Sequence, residues 1–409
     1  MKLTDDEKKM LDGGYGPAAQ LAMQMLTRLG EGYGAERMVA IQSAHMTLCY
    51  PHLVAMIDVL ERFASLGGKC RVPTTNNPNF QVCNINRWKE LPESPELADN
   101  VKRGVKALES LDIIPTCTCT PYFHGNIPHF GEVTSWIESS AIIYGNSVLG
   151  LRTNRTTMGI DIAAAIAGRI PEFGMLLDEN RIGNVSVKMT YQPQTIHEYG
   201  ALGYLVGKLC SGKIPVIEGI SMHVNPDQLR TFGSAAASQG GIALYHMVGI
   251  TPEARTKEDA FKGRKPEYEL TIGKAEIDAA INTIGELSTC DGKNLDAVLL
   301  GCPHATVDEM RVLAELLAGK RVKRNMKFWI YVSSAVVELS RKLGYVAPIE
   351  AAGAEILTGD CIVQHPTKSW GWKRIATDSA KFAIILPSDP TWLDVWYVDT
   401  AECVRVSTE

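Results

Sequence analysis

The chain has 409 residues, of which 45% are hydrophobic and 21% are charged, and its formal net charge is −5. This is the composition of an ordinary globular protein with an ample core, so collagen, coiled coil and intrinsic disorder are excluded. Its lysines and arginines are scattered along the chain. We therefore expect no nucleic-acid partner and no anionic membrane surface.

The N-terminal residues and the cysteine content predict a cytoplasmic protein. No stretch approaches the ~18 apolar residues of a membrane span, and the charged start of the chain lacks the apolar segment of a signal peptide. Thr4 and Glu7 instead have the spacing of a capping box that opens a helix. The ten cysteines include no Cys-x-x-Cys pair, and in a reducing compartment they favour metal binding, catalysis or core packing over disulfides.

The first part of the chain is predicted to be mainly helical, because apolar residues recur there at helical spacing. A short apolar run at 113–115 predicts a strand end that leads into a polar loop. Residues 121–154 are rich in Gly, Pro, Asn and Ser, a composition that in a packed protein indicates a loop lining a site. Helices are predicted at 4–29, 52–66, 92–111 and 161–168.

The last third of the chain alternates strands and helices, which predicts a parallel, doubly wound sheet. Two α/β lobes are expected, about 1–215 and 216–409. In such sheets the ligand crevice lies beyond the carboxyl ends of the strands, which is where Cys302, Ser333 and Cys361 fall. Strands are predicted at 296–300, 327–332, 355–358 and 381–386, and helices at 306–317, 334–343 and 349–354.

Several common catalytic motifs are missing from the sequence. There is no G-x-x-x-x-G-K-[ST] phosphate loop, no glycine fingerprint after a strand and no G-x-S-x-G nucleophile elbow. These absences count against kinase, dehydrogenase and serine hydrolase functions.

Three cysteines follow predicted strands, namely Cys119, Cys302 and Cys361. Three thiolates in one crevice would suit an iron–sulfur cluster in which one iron lacks a protein ligand. Small buried cysteines that only fill core space would give the same pattern. The spacing alone does not choose between the two interpretations.

A longer set of motifs resembles the aconitase X family, and this resemblance spans nearly the whole chain. Three features depart from the family pattern: Leu151 stands where a small residue is expected, Gly-Asp-Cys at 359–361 replaces Asp-Thr-Cys, and Cys117 is an additional thiol. The matching motifs are Cys-Thr-Pro-Tyr at 119–122, Trp-Ile-Glu-Ser-Ser-Ala at 136–141, Gly-Asn-Ser-Val-Leu-Gly at 145–150, Arg-Thr-Asn-Arg at 152–155 and Gly-Cys-Pro-His at 301–304.

The resemblance implies a multi-lobed aconitase-like α/β core, with mostly parallel sheets and helices on both faces. It implies a hydro-lyase that dehydrates a small hydroxy acid with an iron–sulfur cluster, [4Fe–4S] or smaller, held by Cys119, Cys302 and Cys361. It also implies a small swivelling-domain subunit, expected on a separate chain, which carries a serine thought to act as the base. The family substrates are cis-3-hydroxy-L-proline, favoured here because the charge content is unlike that of a hyperthermophile, and mevalonate 5-phosphate.

Roles follow for individual residues, each with a plain structural alternative. Arg152 is a candidate to bind a carboxylate with its two-pronged guanidinium, and His304 to contact the cluster environment. Glu138 could accept a proton or cap a helix. His45 and His246 are further candidates, with a structural role favoured for His246. Candidate substrate-binding residues are Thr74, Thr75, Asn76, Asn146, Ser147, Asn154, Ser379 and Lys381.

Two functions of other classes remain open at this stage. The chain could be a non-enzymatic iron-binding or ligand-binding protein that shares the fold. It could also be a mononuclear metal hydrolase that binds zinc through His304 and one cysteine.

Overall fold

The computed structural model describes residues 1–48, 52–78, 95–286, 292–365, 367–388 and 391–409. The helices are α1 (Asp5–Leu11), α2 (Pro17–Gly32), α3 (Leu53–Ser65), α4 (Pro95–Ser110), α5 (Ser139–Tyr144), α6 (Met158–Ala167), α7 (Ile196–Leu209), α8 (Pro226–Gly240), α9 (Lys257–Phe261), α10 (Lys274–Glu286), α11 (Val307–Leu317), α12 (Ser334–Lys342), α13 (Val346–Ala351), α14 (Ala380–Ile385) and α15 (Thr400–Ser407).

The strands form four sheets, and only the β1–β5 pair is antiparallel in the described part of the chain. The larger sheets have the orders β12-β11-β10-β13-β14, β8-β7-β6-β9 and β3-β2-β4. The strands are β1 (Met38–Ala40), β2 (Ser43–Met46), β3 (Thr74–Asn76), β4 (Thr134–Trp136), β5 (Arg169–Pro171), β6 (Val185–Met189), β7 (Pro215–Glu218), β8 (His246–Met247), β9 (Tyr268–Ile272), β10 (Ala297–Ala305), β11 (Lys327–Val332), β12 (Glu355–Thr358), β13 (Arg374–Thr377) and β14 (Asp394–Tyr397).

The five-stranded sheet is buried on both faces, as a parallel sheet usually is. On β11, Trp329 joins the core cluster that includes α7 and α8, whereas its neighbour Ile330 joins a second cluster under α11, α13 and α15. Successive strand residues point to opposite faces, so this alternation places helices on both sides. The mixed α/β fold with mostly parallel sheets is thus confirmed, while the division into two lobes stays a prediction.

The C-terminal prediction is wrong for residues 381–386, which were expected to form a strand. They belong to helix α14, because the Ser379 side chain accepts the Phe382 N–H and caps the helix. Two strands that the sequence did not predict, β13 and β14, complete the sheet beside β10. A short apolar run fits a strand or a buried helix equally well, and here the N-cap at Ser379 favours the helix.

The N-terminal predictions need smaller corrections. The predicted helix 4–29 is divided into α1 and α2, since Gly13 and Gly16 adopt φ values of 89° and 92° between them. The Thr4–Glu7 capping box is confirmed. Ile114 forms only an isolated bridge with Thr75, so residues 113–115 are not a strand. The helix predicted at 92–111 begins at Pro95 in the structure, and its first three predicted residues lie outside the described ranges.

Strand β10 extends beyond its predicted end at residue 300 and carries Cys302 and His304 within it. Its register with β11 shifts between Leu300 and Ala305. Gly301 makes this irregularity possible: its φ is 87°, and a Cβ at this position would stand 2.1 Å from the carbonyl oxygen of Tyr331. Only glycine allows β11 to approach the segment that carries Cys302 so closely.

A Gly301→Ala substitution should therefore be much more damaging than Gly319→Ala. Gly319 has a similar φ of 74°, but the space that a Cβ would occupy there is open. Gly319→Ala therefore reports only the cost of the backbone strain, about 1 kcal/mol. Gly301→Ala adds a steric overlap and should cost at least about 3 kcal/mol. Urea unfolding followed by tryptophan fluorescence measures both values, and equal losses would contradict the close approach.

Candidate active site at the carboxyl edge of the C-terminal sheet

Three cysteines from distant parts of the chain meet at the carboxyl edge of the five-stranded sheet. Cys119 precedes a short 3-10 helix (Pro121–Phe123), Cys302 lies in β10, and Cys361 follows β12. Burial is the main cause that raises the pKa of Cys119 to about 12 and that of Cys302 to about 11. Burial also raises the pKa of Cys361, with further increases from Cys302 and Cys119. The three thiols therefore lie within electrostatic reach of one another.

Three cysteine thiols make up the donor set at this edge of the sheet. In the described ranges, no three His, Cys, Asp or Glu side chains are grouped as ligands of one ion. An iron–sulfur cluster takes its thiolates on different irons, so its protein ligands stand farther apart than those of one ion. The donor set of three thiols fits such a cluster with one open iron.

His304 connects Cys119 to the segment after β12 that carries Cys361. Its backbone N–H lies 3.2 Å from the Cys119 Sγ, Nδ1 is 3.2 Å from the Thr118 hydroxyl, and Nε2 is 2.9 Å from the Asp360 carbonyl oxygen. The carbonyl can only accept, so Nε2 carries the ring proton. Burial lowers the pKa of His304 to about 4, and the ring is neutral at pH 7. Both ring nitrogens are hydrogen-bonded within the protein, so this histidine holds the segments of Thr118 and Asp360 in position.

A buried ion pair lies beside the thiols. Lys381 Nζ donates to the Glu138 carboxylate at 2.6 Å and to the Ser140 hydroxyl at 2.7 Å. Burial alone would lower the pKa of Lys381, but Glu138, Cys302 and Cys119 raise it, so the amine stays charged. The other Glu138 oxygen accepts the Ala141 N–H at 2.7 Å, so Glu138 both caps α5 and holds the lysine.

Ser379 fastens the Cys302 backbone to the start of α14. Its hydroxyl donates to the Cys302 carbonyl oxygen at 2.6 Å and accepts the Phe382 N–H at 3.2 Å. The first turn of α14 therefore places both Ser379 and Lys381 beside the thiols.

The predicted Thr74, Thr75 and Asn76 form the buried strand β3, which supports the loop before Cys119. Asn76 Oδ1 accepts the Cys117 N–H at 3.1 Å, and the Asn76 carbonyl accepts the Thr118 N–H at 3.1 Å. Thr74 donates to the Val72 carbonyl. These contacts place the loop that leads to Cys119.

Four further predicted side chains, those of Asn146, Ser147, Asn154 and Arg152, bond to residues of other loops. Asn146 bonds to Thr153, Ser147 accepts the Tyr245 N–H at 2.9 Å, and Asn154 accepts the Met175 N–H at 2.7 Å. Arg152 pairs with Asp178 and lines a separate cavity of about 480 Å³. In these positions the four side chains brace loops, the structural alternative for each.

Three polar side chains were missing from the predicted site. Tyr122 OH, His124 Nδ1 and Asn126 Oδ1 are buried and have no hydrogen-bond partner among the residues that the structure describes. Two of them interact electrostatically with site residues: Cys119 raises the pKa of Tyr122, and His124 lowers the pKa of His304. A buried polar atom without a partner is costly, so these atoms suit a bound ligand or water. Tyr122 and His124 lie so close to Cys119 in sequence that this proximity could have signalled them. The predicted candidate His45 is buried beside Glu138, which raises its pKa, although burial lowers that pKa more.

Comparison with known proteins gives matches along the chain. The models of the aconitase X first, second and third domains match residues 1–179, 183–282 and 295–409. The phosphomevalonate dehydratase large subunit of Methanocaldococcus jannaschii is 38% identical, over 95% of this chain and 96% of its own length. The cis-3-hydroxy-L-proline dehydratase of Pseudomonas aeruginosa is 34% identical, over 93% of this chain and 66% of its own length.

A solved structure agrees with these matches. The crystal structure of Thermococcus kodakaraensis aconitase X in its holo-form superposes with a TM-score of 0.88 at 34% identity, covering 100% of both chains. Among the described residues, no helix is long and apolar enough to cross a membrane. The relatives are named dehydratases, in agreement with the predicted hydro-lyase class. The chain belongs to the aconitase X family, as the resemblance in its sequence indicated.

Proposed function

We propose that this chain is the large, catalytic subunit of an iron–sulfur-dependent dehydratase, with the cluster held by Cys119, Cys302 and Cys361. The observation that carries the proposal is the meeting of three half-buried thiols at the carboxyl edge of a parallel sheet. This edge is where ligands bind in such sheets.

The charges around the thiols support a bound metal. Lys381 is paired with Glu138, so its charge is already largely balanced. Burial keeps the pKa of all three thiols above its ordinary range, and metal binding would displace their protons. Lys381 lowers the pKa of Cys119 and Cys302, but less than burial raises it, and a bound cluster would supply further positive charge.

Dehydration needs an electrophile for the leaving hydroxyl and donors for the substrate carboxylate. When bound, the cluster supplies an open iron as the Lewis acid for that hydroxyl. Lys381 keeps a fixed positive charge beside the cluster, and His304 holds its backbone N–H on Cys119. The unpartnered polar atoms of Tyr122, His124 and Asn126 provide hydrogen-bonding groups for a hydroxy acid.

The base for proton removal is assigned to a small partner subunit. The "large subunit" names of the archaeal relatives support such a partner. The Pseudomonas aeruginosa relative supports it too, since this chain matches only 66% of its length. We therefore propose that activity requires a second, smaller domain supplied by another chain.

Two substrates are proposed, each on its own observation. Mevalonate 5-phosphate is favoured by the end-to-end match with phosphomevalonate dehydratase large subunits at 37% and 38% identity. cis-3-Hydroxy-L-proline is favoured by the site charges, since Lys381 is already paired with a carboxylate and a phosphate needs additional cations or amides.

A cysteine substitution tests the proposed ligands. Cys302→Ser should lose most of its iron and acid-labile sulfide and the broad absorbance near ~400 nm, because serine is a poor ligand for such a cluster. Cys70→Ser is the matched control, since Cys70 is also half-buried, and in the described structure it has no contact with the three site thiols. Equal metal loss from the two variants would contradict the assignment.

An activity assay separates the substrates and tests the need for a partner. The anaerobic chain, mixed with the small subunit of a relative, should dehydrate one of the two hydroxy acids. We expect at least a 100-fold lower rate without the small subunit, the loss typical when a catalytic base is removed. Full activity of the chain alone would contradict the partner proposal, and turnover of neither compound would contradict both substrates.

A further inference from the structure

Arg230 is a buried cation that no sequence motif singles out. It lies on α8, in the middle part of the chain, and only 2% of its surface is exposed. A buried guanidinium loses its hydration, and hydrogen bonds and opposite charges must compensate for that loss. The hydrogen-bond partners of Arg230 therefore indicate its structural role.

The bonds of Arg230 go to the segment that carries Cys302. Its Nη1 donates to the Pro303 carbonyl oxygen at 2.6 Å and to the His304 carbonyl oxygen at 3.2 Å. Ser379 holds the carbonyl of Cys302 itself. Three successive carbonyls of an irregular strand segment are thus bound by side chains from α8 and from the start of α14.

The acids around Arg230 fix its position. Nη2 donates to Glu309 at 2.7 Å, and Asp227 lies 3.8 Å from Nε. Glu309 also caps α11 by accepting the Thr306 N–H at 2.8 Å, and the Thr306 hydroxyl donates to Asp227. The starts of α8 and α11 are thereby tied together around the guanidinium.

The held segment leads directly to the other cysteines. His304 places its N–H on the Cys119 Sγ and its ring on the Asp360 carbonyl, next to Cys361. A shift of the 303–304 backbone would therefore disturb the contacts of all three thiols. Arg230 is bonded to the peptide groups from which those contacts begin.

We propose that Arg230 is a positioning residue that holds the Pro303 and His304 carbonyls, and through them sets the geometry of Cys302 and of the His304 contacts with Cys119. As regards the cluster, this inference rests on the proposed function. The placement of the segment itself can be tested in the metal-free chain.

The first test is hydrogen–deuterium exchange of the metal-free, full-length chain. In Arg230→Gln, the backbone amides of Cys302, His304 and Ala305 should exchange about tenfold faster or more, because hydrogen bonds from a charged donor to this segment are lost. Arg230→Lys keeps the charge with a single donor group and should give intermediate exchange. Arg311→Gln is the control, since Arg311 pairs with Asp308 and Glu315 on the surface of neighbouring α11; it should leave these amides unchanged.

The second test is the visible circular dichroism spectrum after anaerobic reconstitution. Arg230→Gln should alter the spectrum and lose absorbance in air several times faster than wild type, with partial recovery in Arg230→Lys. Wild-type exchange at 302–305 in Arg230→Gln would overturn the proposal. The proposal would also be overturned if amide exchange became equally faster in every sheet of both Arg230 variants, because that result would indicate general destabilisation. A wild-type chain without iron and sulfide would contradict the cluster alone, since the exchange result does not depend on it.

Discussion

The structure depends on bringing three half-buried cysteine thiols together and keeping them there. Thiols in this setting resist ionisation, because burial and their mutual repulsion both raise the pKa. Lys381 lowers the pKa of Cys119 and Cys302, and Arg230 lowers that of Cys302, but burial outweighs both cations. In the proposed function a bound metal group displaces the thiol protons, and the surrounding hydrogen bonds keep the three cysteines in place for it.

The scaffold meets this demand by holding the backbone, more than the cysteine side chains. Asn76 fixes the loop before Cys119, Ser379 and Arg230 bind the carbonyls after Gly301, and His304 joins the two segments. These residues come from all three matched family domains. The site therefore forms only when the domains are packed together. No single domain contains all the residues that position the three cysteines.

The sequence predicted those parts of the molecule that have local causes. The Thr4–Glu7 capping box and the strands before Cys302 and Cys361 follow from short-range patterns, and they are present. The segment of helix α14 fits a strand equally well, because its five consecutive apolar residues have no period that separates the two, and only the Ser379 cap marks it as a helix. The role of Arg230 has no local signal, because its partner Pro303 lies 73 residues away in sequence, which no local spacing reveals.

The central claim, a cluster on three cysteines, is tested most directly by the iron and acid-labile sulfide content of the anaerobically purified wild-type chain. The visible spectrum is recorded on the same sample. Iron and sulfide in comparable amounts, with broad absorbance near ~400 nm, is the result that the structure predicts. A chain that holds neither after anaerobic reconstitution would contradict the cluster, and would leave a protein that shares the aconitase X fold without this chemistry.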